Sequence, residues 1–356
     1  MTKIEGFDFE YIQKNTELKY FHGKTFLISG ANGFIASNFI KFLLYLNENV
    51  LEQNKVKIIA IARNEKKCKE KFFQHLNTKE IKFIFQDINA PLKFKEKIDY
   101  IIHAASQASP IFYGVDPVGT MNSNIIGTIS LLELAKEKKV ESFLFLSSSE
   151  IYGKDFNTVN EMIVEEEVGK IDLEDIRNCY AESKHVGEFY TKAYWKQYAV
   201  PAKSARIFHT YGPGLSLGDG RVFMDFIEDI IFERDIMMKS SGSAKRCFCY
   251  ISDALIAFFK ILFLGENGES YNVGNMSQEI SILELAEKLV KLFPEKNLKV
   301  IVQNRMENDK YIPSKVNRAL PCIEKMRKLN WDPKISIDEG FNRTILYFQE
   351  KMNWKN

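Results

Sequence analysis

KTFLISGANGFIA, residues 24–36, runs from a short apolar strand through two glycines into the start of a helix. The strand is read as Lys24–Ser29 and the helix as about Phe34 to Asn47. Two glycines three apart are a weak signal, and an ordinary β–α turn looks the same. Their place at the first strand-to-helix junction is what a dinucleotide fingerprint requires. Glycine permits the tight turn and the close approach of backbone to a pyrophosphate. The helix start adds unpaired N–H groups and the positive end of a dipole. Gly30, Asn32, Gly33, Phe34 and Ile35 are therefore the expected phosphate-side contacts. Ala36 stands where a third glycine is often found, and its small side chain still allows close helix packing.

Working outward, apolar strands recur at Lys55–Ala62, Ile81–Gln86, Tyr100–His103, Ser142–Ser147 and Ala202–Ile207. Helices are expected from about Asn122 to Lys138 and over about Tyr180–Tyr198. Strands alternating with helices imply parallel βαβ units and a Rossmann-like, doubly wound α/β sheet. After Tyr211 the texture changes, with Gly212, Pro213, Gly214, Gly218 and Gly220 crowded into one loop. The expected organisation is a polar, partly helical leader (1–23), a dinucleotide-binding domain (24–210) and a smaller α/β substrate-binding domain (211–356). Some of the last part is expected to return to the first domain, and Asp338–Gln349 to form a final amphipathic helix.

Composition narrows the class. With 45% hydrophobic and 13% aromatic residues, the 356-residue chain can bury a large, ring-rich core. A net charge of +2 argues against a dedicated nucleic-acid surface. Five scattered cysteines (68, 179, 247, 249 and 322) read as reduced thiols of a cytoplasmic protein. Cys247 and Cys249 alternate on what reads as one strand, with no nearby His, so no metal site is expected. The start, MTKIEGFDFEYIQ, carries acids and lacks the apolar core of a signal peptide. The apolar runs Phe39–Leu46 and Ala254–Leu264 are broken by Lys41 and Lys260 and fall short of the ~20 residues needed to span a bilayer. No membrane insertion is expected.

The second strand ends without the acid that usually binds the adenosine ribose. Arg63 stands there instead, which favours a 2′-phosphate and hence NADP over NAD; a solvated basic turn is the competing reading. Asp87, closing the third strand, suits the adenine amino group or a cap on the next turn. Tyr180 and Lys184, four apart on a helix, share a face. A Tyr acts as a base near neutrality only if its pKa falls from about 10, and a nearby ammonium favours that. The Ser147–Ser149 run ends the strand before them, where a hydroxyl can meet a reacting oxygen.

Eight stretches together resemble the extended short-chain dehydrogenase/reductase family of nucleotide-sugar enzymes. They are GANGFIAS (30–37), HAAS (103–106), SSSEIYG (147–153), YAESK (180–184), RIFHTYGPG (206–214), KRCFCYISD (245–253), YNVGN (271–275) and NRALPCIEKMRKLNWDP (317–333). Within that family, His103–Ala135 and RNCYAESKH (177–185) most resemble UDP-glucuronate decarboxylases. The resemblance implies a tightly bound NAD(P), regenerated in each turnover and touched by Ile88, Ala104, Ala105 and Ser106. It implies that Ser148 and Tyr180 hold the sugar 4-hydroxyl, that Tyr180 removes its proton, and that Lys184 holds the nicotinamide ribose. Glu150 would act next, on a 4-keto intermediate. Ser149 stands where dTDP-glucose 4,6-dehydratases typically carry Asp, and the Ser149-Glu150 pair resembles both the decarboxylases and GDP-mannose 4,6-dehydratases. Arg221, Arg246 and Arg318 match substrate-binding positions, and His209 replaces the Asn of many relatives; their competing readings are surface arginines and a structural hydrogen-bonder. Relatives pair the helices near Asn122–Lys138 and Tyr180–Tyr198 into a homodimer interface. A lyase of surface-polysaccharide sugar biosynthesis, similar to a UDP-glucuronate decarboxylase or a 4,6-dehydratase, leads, ahead of a C4 epimerase, a C4 dehydrogenase and a non-catalytic nucleotide-binding regulator.

Overall fold

The computed structural model describes residues 1–153, 162–167, 169–303 and 318–353. Seven strands form the central sheet: β1 (Thr25–Ser29), β2 (Lys57–Ala62), β3 (Ile81–Phe85), β4 (Tyr100–His103), β5 (Ser142–Ser148), β6 (Ala202–Ile207) and β7 (Ser270–Val273). Their order is β7-β6-β5-β4-β1-β2-β3, and every neighbouring pair is parallel. A parallel sheet is covered on both faces, so its strands read as continuous apolar runs. Accordingly every residue of β1 and β5 is buried. The chain leaves β1 toward β2 and β3, then returns to the other side of β1 as β4. Ligands bind α/β sheets in the crevice this reversal opens, beyond the C-terminal ends of β1 and β4.

The longer helices are α1 (Lys3–Lys14), α2 (Phe34–Asn49), α3 (Pro117–Lys138), α4 (Cys179–Tyr198), α5 (Val222–Ile231), α6 (Ile251–Leu264), α7 (Ile282–Leu292) and α8 (Ile337–Asn353). On one face of the sheet Phe39 and Phe42 of α2 meet Phe258 and Phe259 of α6. On the other, Leu131 and Leu132 of α3 and Tyr194 of α4 join Phe143 and Phe145 of β5. The third of these helices starts five residues before the expected Asn122. Asp116 accepts a hydrogen bond from Gly119 N, and Pro117 occupies the first helical position, a start signal independent of apolar spacing. No helix of the described residues is long and apolar enough to cross a membrane.

Residues before 24 are packed. Thr2 and Glu5 form a capping box, Phe9 and Ile12 are buried, and Asp8 accepts from Tyr250 Oη and Arg343 Nη1, both at 2.7 Å. After Tyr211, short strands make small sheets: Lys245–Cys247 lies between Glu279–Ser281 and Arg318–Ala319. Cys247 and Cys249 were expected on one strand. They lie on two, because Cys249–Tyr250 leaves Phe248 to pair with Thr210–Tyr211. All five cysteines are buried and unpaired.

Candidate active site

Gly30 sits at φ 74°, a left-handed conformation that glycine adopts without strain. A Cβ there would lie 2.7 Å from Ala105 Cα, so the loop after β4 runs directly against it. Ser29 holds that loop in place. Its Oγ accepts N–H bonds from Ala104 and Ala105, each 3.1 Å, and lies 2.9 Å from His103 Nδ1. Burial lowers His103 to about 3, so the ring is neutral, and because Ser29 Oγ already accepts two N–H bonds its own proton is the one left for Nδ1. Gly33 N donates to Gly30 O at 2.7 Å, and Gly33 caps α2. The N–H groups of Phe34 and Ile35, in the first turn, have no intrahelical acceptor. Asn32 Nδ2 donates to Asn64 O at 2.8 Å, while Asn32 Oδ1 is buried with no partner. The tight cradle and the free N–H groups fit a dinucleotide diphosphate, while the orphaned Asn32 Oδ1, an acceptor, waits for a donor such as a hydroxyl or water.

At the adenosine end, Arg63 is exposed, its Nη1 3.9 Å from Asp87 Oδ2. Asp87 Oδ1 accepts from Asn89 N at 2.9 Å, so this Asp also caps its turn. Ile88 is buried beneath Gly127 of α3, which leaves its backbone rather than its side chain for a ligand.

The reactive groups gather at the C-terminal end of β5. Tyr180 is the second residue of α4 and Lys184 lies one turn on; both are buried. Lys184 Nζ donates to Leu146 O at 2.6 Å and stands 5.7 Å from the Tyr180 ring centroid. Burial pulls this ammonium down to about 7, with Glu188 opposing. Burial also pushes the Tyr180 phenol up to about 12. The Ser148 hydroxyl opposes that rise most, Glu150 adds to it, and Arg221 and Ser106 oppose it. Without bound ligand the phenol is thus shifted away from what a base needs, and Lys184 does not reverse the shift. Ser148 Oγ accepts from Glu150 N at 3.2 Å, which fixes the turn after β5. Ser149 is half-buried and Glu150 exposed, two residues beyond Ser148. Ser106 Oγ is buried and faces the Tyr180 hydroxyl too loosely for a regular hydrogen bond.

Tyr113 was missed from the sequence. It stacks on Tyr180, centroids 4.8 Å apart and planes 14° from parallel, and its hydroxyl donates to Ala108 O at 2.9 Å. Its only sequence signal is an aromatic residue after the Ser109-Pro110 turn.

The charged positions divide. Arg221 Nε lies 3.1 Å from Asp219 Oδ1 and Arg246 is buried, its Nη1 donating to Lys245 O at 2.8 Å. Both repel a proton on His209, which burial first of all holds neutral at about 3. His209 Nδ1 is buried with no partner. Arg318 is held by Glu279 at 2.6 and 3.3 Å, while its Nη1 is buried and unpaired. Asn317, which opens the last motif, lies outside the described residues.

A doubly wound parallel sheet, a glycine cradle at its switch point and a buried Tyr/Lys pair beside a strand-end Ser define a dinucleotide-dependent enzyme fold of the short-chain dehydrogenase/reductase type. The model of the NAD dependent epimerase/dehydratase family matches residues 26–274, and the chain belongs to that family. It is 31% identical to UDP-glucuronic acid decarboxylase 3 of Arabidopsis thaliana, over 92% of this chain and 90% of that one. It is also 31% identical to the Homo sapiens dTDP-D-glucose 4,6-dehydratase, over 94% and 92%. An epimerase structure from Methanothermobacter thermautotrophicus shares the fold, with a TM-score of 0.77 and 24% identity over 97% of both chains. So does the UDP-glucuronic acid 4-epimerase of Bacillus cereus, solved with UDP-glucuronic acid and NAD, at TM-score 0.75 and 22% identity over 92% and 99%.

Proposed function

We propose that the protein is an NAD(P)-dependent lyase that oxidises a nucleotide sugar at C4 and then removes the C5 carboxylate, as a UDP-glucuronate decarboxylase does. The observation that carries this reading is the convergence of Ser148, Tyr180 and Lys184 at the end of β5, with Glu150 two residues on and Ser149 where dTDP-glucose 4,6-dehydratases typically carry Asp. Similarity at 31% identity to UDP-glucuronic acid decarboxylases supports it.

When bound, the nicotinamide accepts the C4 hydride and returns it later. The protein's residues do the rest. Gly30, Asn32, Gly33, Phe34 and Ile35 hold the diphosphate, with Ile88 and Ala104–Ser106 along the walls. Ser148 and Tyr180 take the 4-hydroxyl, and Tyr180 Oη removes its proton. Because burial holds the free phenol near 12, ionisation has to be favoured by positive charge arriving with the ligands. Lys184 holds the nicotinamide ribose. A C4 ketone then stabilises the carbanion left by loss of CO₂, and Glu150 governs the proton delivered to C5. Arg221, Arg246 and His209 grip the nucleotide diphosphate and sugar, while Arg318 offers its unpaired Nη1.

Arg63, in place of the ribose-binding acid, supports NADP binding at least as tight as NAD. Exposed Val118, Ile126 and Phe189 on α3 and α4 support pairing with a second copy through these helices in a cytoplasmic homodimer. The test is Glu150→Gln with UDP-glucuronate. The variant should accumulate reduced cofactor, seen as near-ultraviolet absorbance, while product slows strongly. Near-normal turnover would point to an epimerase, which needs only ketone rotation after oxidation. If neither reduced cofactor nor product forms, the two-stage role of Glu150 is wrong.

A further inference from the structure

The seven-residue helix Glu65–Lys71 follows β2 and is not part of the glycine loop, yet it grips that loop twice. Asn64, its cap, accepts from Asn32 Nδ2 through its carbonyl at 2.8 Å. Lys71, its last residue, donates from Nζ to the Asn32 carbonyl at 3.0 Å and reaches Ser37 Oγ, in the first turns of α2, at 3.4 Å. Asn32 is therefore fixed through its side chain and its backbone by one short element.

The charge at Lys71 is not matched locally. The side chain is half-buried, and among the described residues it makes no ion pair. Burial lowers the Lys71 ammonium to about 8, Lys41 and Lys351 push the same way, and Glu5 opposes but is itself engaged by Lys41 at 2.5 Å; the nearby Cys68 is an un-ionised thiol, raised by burial to about 11. A half-buried ammonium that two other lysines repel, held against the loop and first turn of a helix, is an arrangement that an anion stabilises.

We propose that Lys71 is a positioning residue for the dinucleotide: from behind the glycine loop it fixes the Asn32–Gly33 peptide and adds positive potential for the diphosphate. This rests on the reading that Gly30–Ile35 binds a dinucleotide. It gives the basic run Lys66, Lys67, Lys69 and Lys71 one member with an assigned task; the first three are exposed.

The test compares NAD, ADP and adenosine, the first two by calorimetry and the last by NMR titration. Lys71→Met should weaken NAD and ADP about tenfold, the order expected for one partly buried charge interaction, and leave adenosine within about twofold. Lys71→Gln keeps a donor for the Asn32 carbonyl but no charge, and should weaken ADP likewise; Lys71→Arg should restore it. Unchanged ADP affinity in both neutral variants overturns the proposal. Equal losses for ADP and adenosine also overturn it, since they mean a collapsed loop. Failure of the wild-type protein to bind either NAD or ADP would sink the dinucleotide reading itself, a result distinct from a defect confined to the variants.

Discussion

Gly30→Ala tests the cradle by adding one methyl group. The new Cβ would sit 2.7 Å from Ala105 Cα, 2.8 Å from Ala105 N and 2.9 Å from Ala104 O. All three are backbone atoms, tied down by the two N–H bonds to Ser29, so none can swing aside. A Cβ in the left-handed region costs about 1–2 kcal/mol. Forcing a methylene into packed surroundings costs about 1–3 kcal/mol more, so the whole loss is about 2–5 kcal/mol. Gly218→Ala separates the two terms: Gly218 has φ 71°, but its Cβ would meet nothing within 4 Å. That variant should lose only the strain, about 1–2 kcal/mol. Urea unfolding followed by circular dichroism gives both values, and calorimetry with NAD should show affinity lost in Gly30→Ala alone. Equal midpoints for the two variants would refute the close approach of the 104–105 loop to Gly30.

Tyr180→Phe keeps the stack on Tyr113 and should cut turnover about 10²–10⁴-fold, the usual weight of a positioned acid–base group; near-wild-type rates would remove Tyr180 from the chemistry. Burial lowers Lys184 from its ordinary 10.5 to about 7. Between those values the unfolded chain holds a proton that the folded protein does not, so stability rises with pH there. This contribution is present above 10.5 and lost as pH falls through 7, so Lys184→Met should flatten the stability profile of the cofactor-free protein over that window. An unchanged slope would contradict a neutral, buried Lys184. Arg206 clasps Glu188 through Nε and Nη2 and also donates to Tyr152 Oη and Glu165 O, which ties α4, β6 and the loop after β5 together. Arg206→Met strands a buried carboxylate and should cost about 3–5 kcal/mol, with Glu188→Leu in the same chain recovering part of it. No recovery in the double variant would mean that the bonds to Tyr152 and Glu165, rather than the ion pair, carry the clasp.

The strands were legible because the sheet is buried on both faces and leaves unbroken apolar runs such as FLIS and SFLFLS. The end of β5 was legible for the same reason, and with it the place of Ser148. Helix starts were less so: α3 begins on a cap and a proline, signals that apolar spacing does not carry. Ser29, Tyr113 and Lys71 were invisible for a common reason. Each acts through a partner far along the chain: the Ser29 hydroxyl on the loop after β4, the Tyr113 ring on Tyr180, Lys71 on Asn32. Nothing local distinguishes a strand-end Ser or a helix-end Lys from its neighbours. The resting phenol pKa was not legible either, since four-residue spacing places an ammonium near Tyr180 but says nothing of the burial that outweighs it in the ligand-free protein.

The central claim is that this site oxidises C4 so that the C5 carboxylate can leave, with no net change in the cofactor. Mass spectrometry of the purified protein with UDP-glucuronate and catalytic amounts of NAD or NADP tests it directly. The account predicts a UDP-sugar lighter by one carbon dioxide, formed in many turnovers while the cofactor stays oxidised. A product of unchanged mass, one lighter by water or two hydrogens, or stoichiometric cofactor reduction would contradict it.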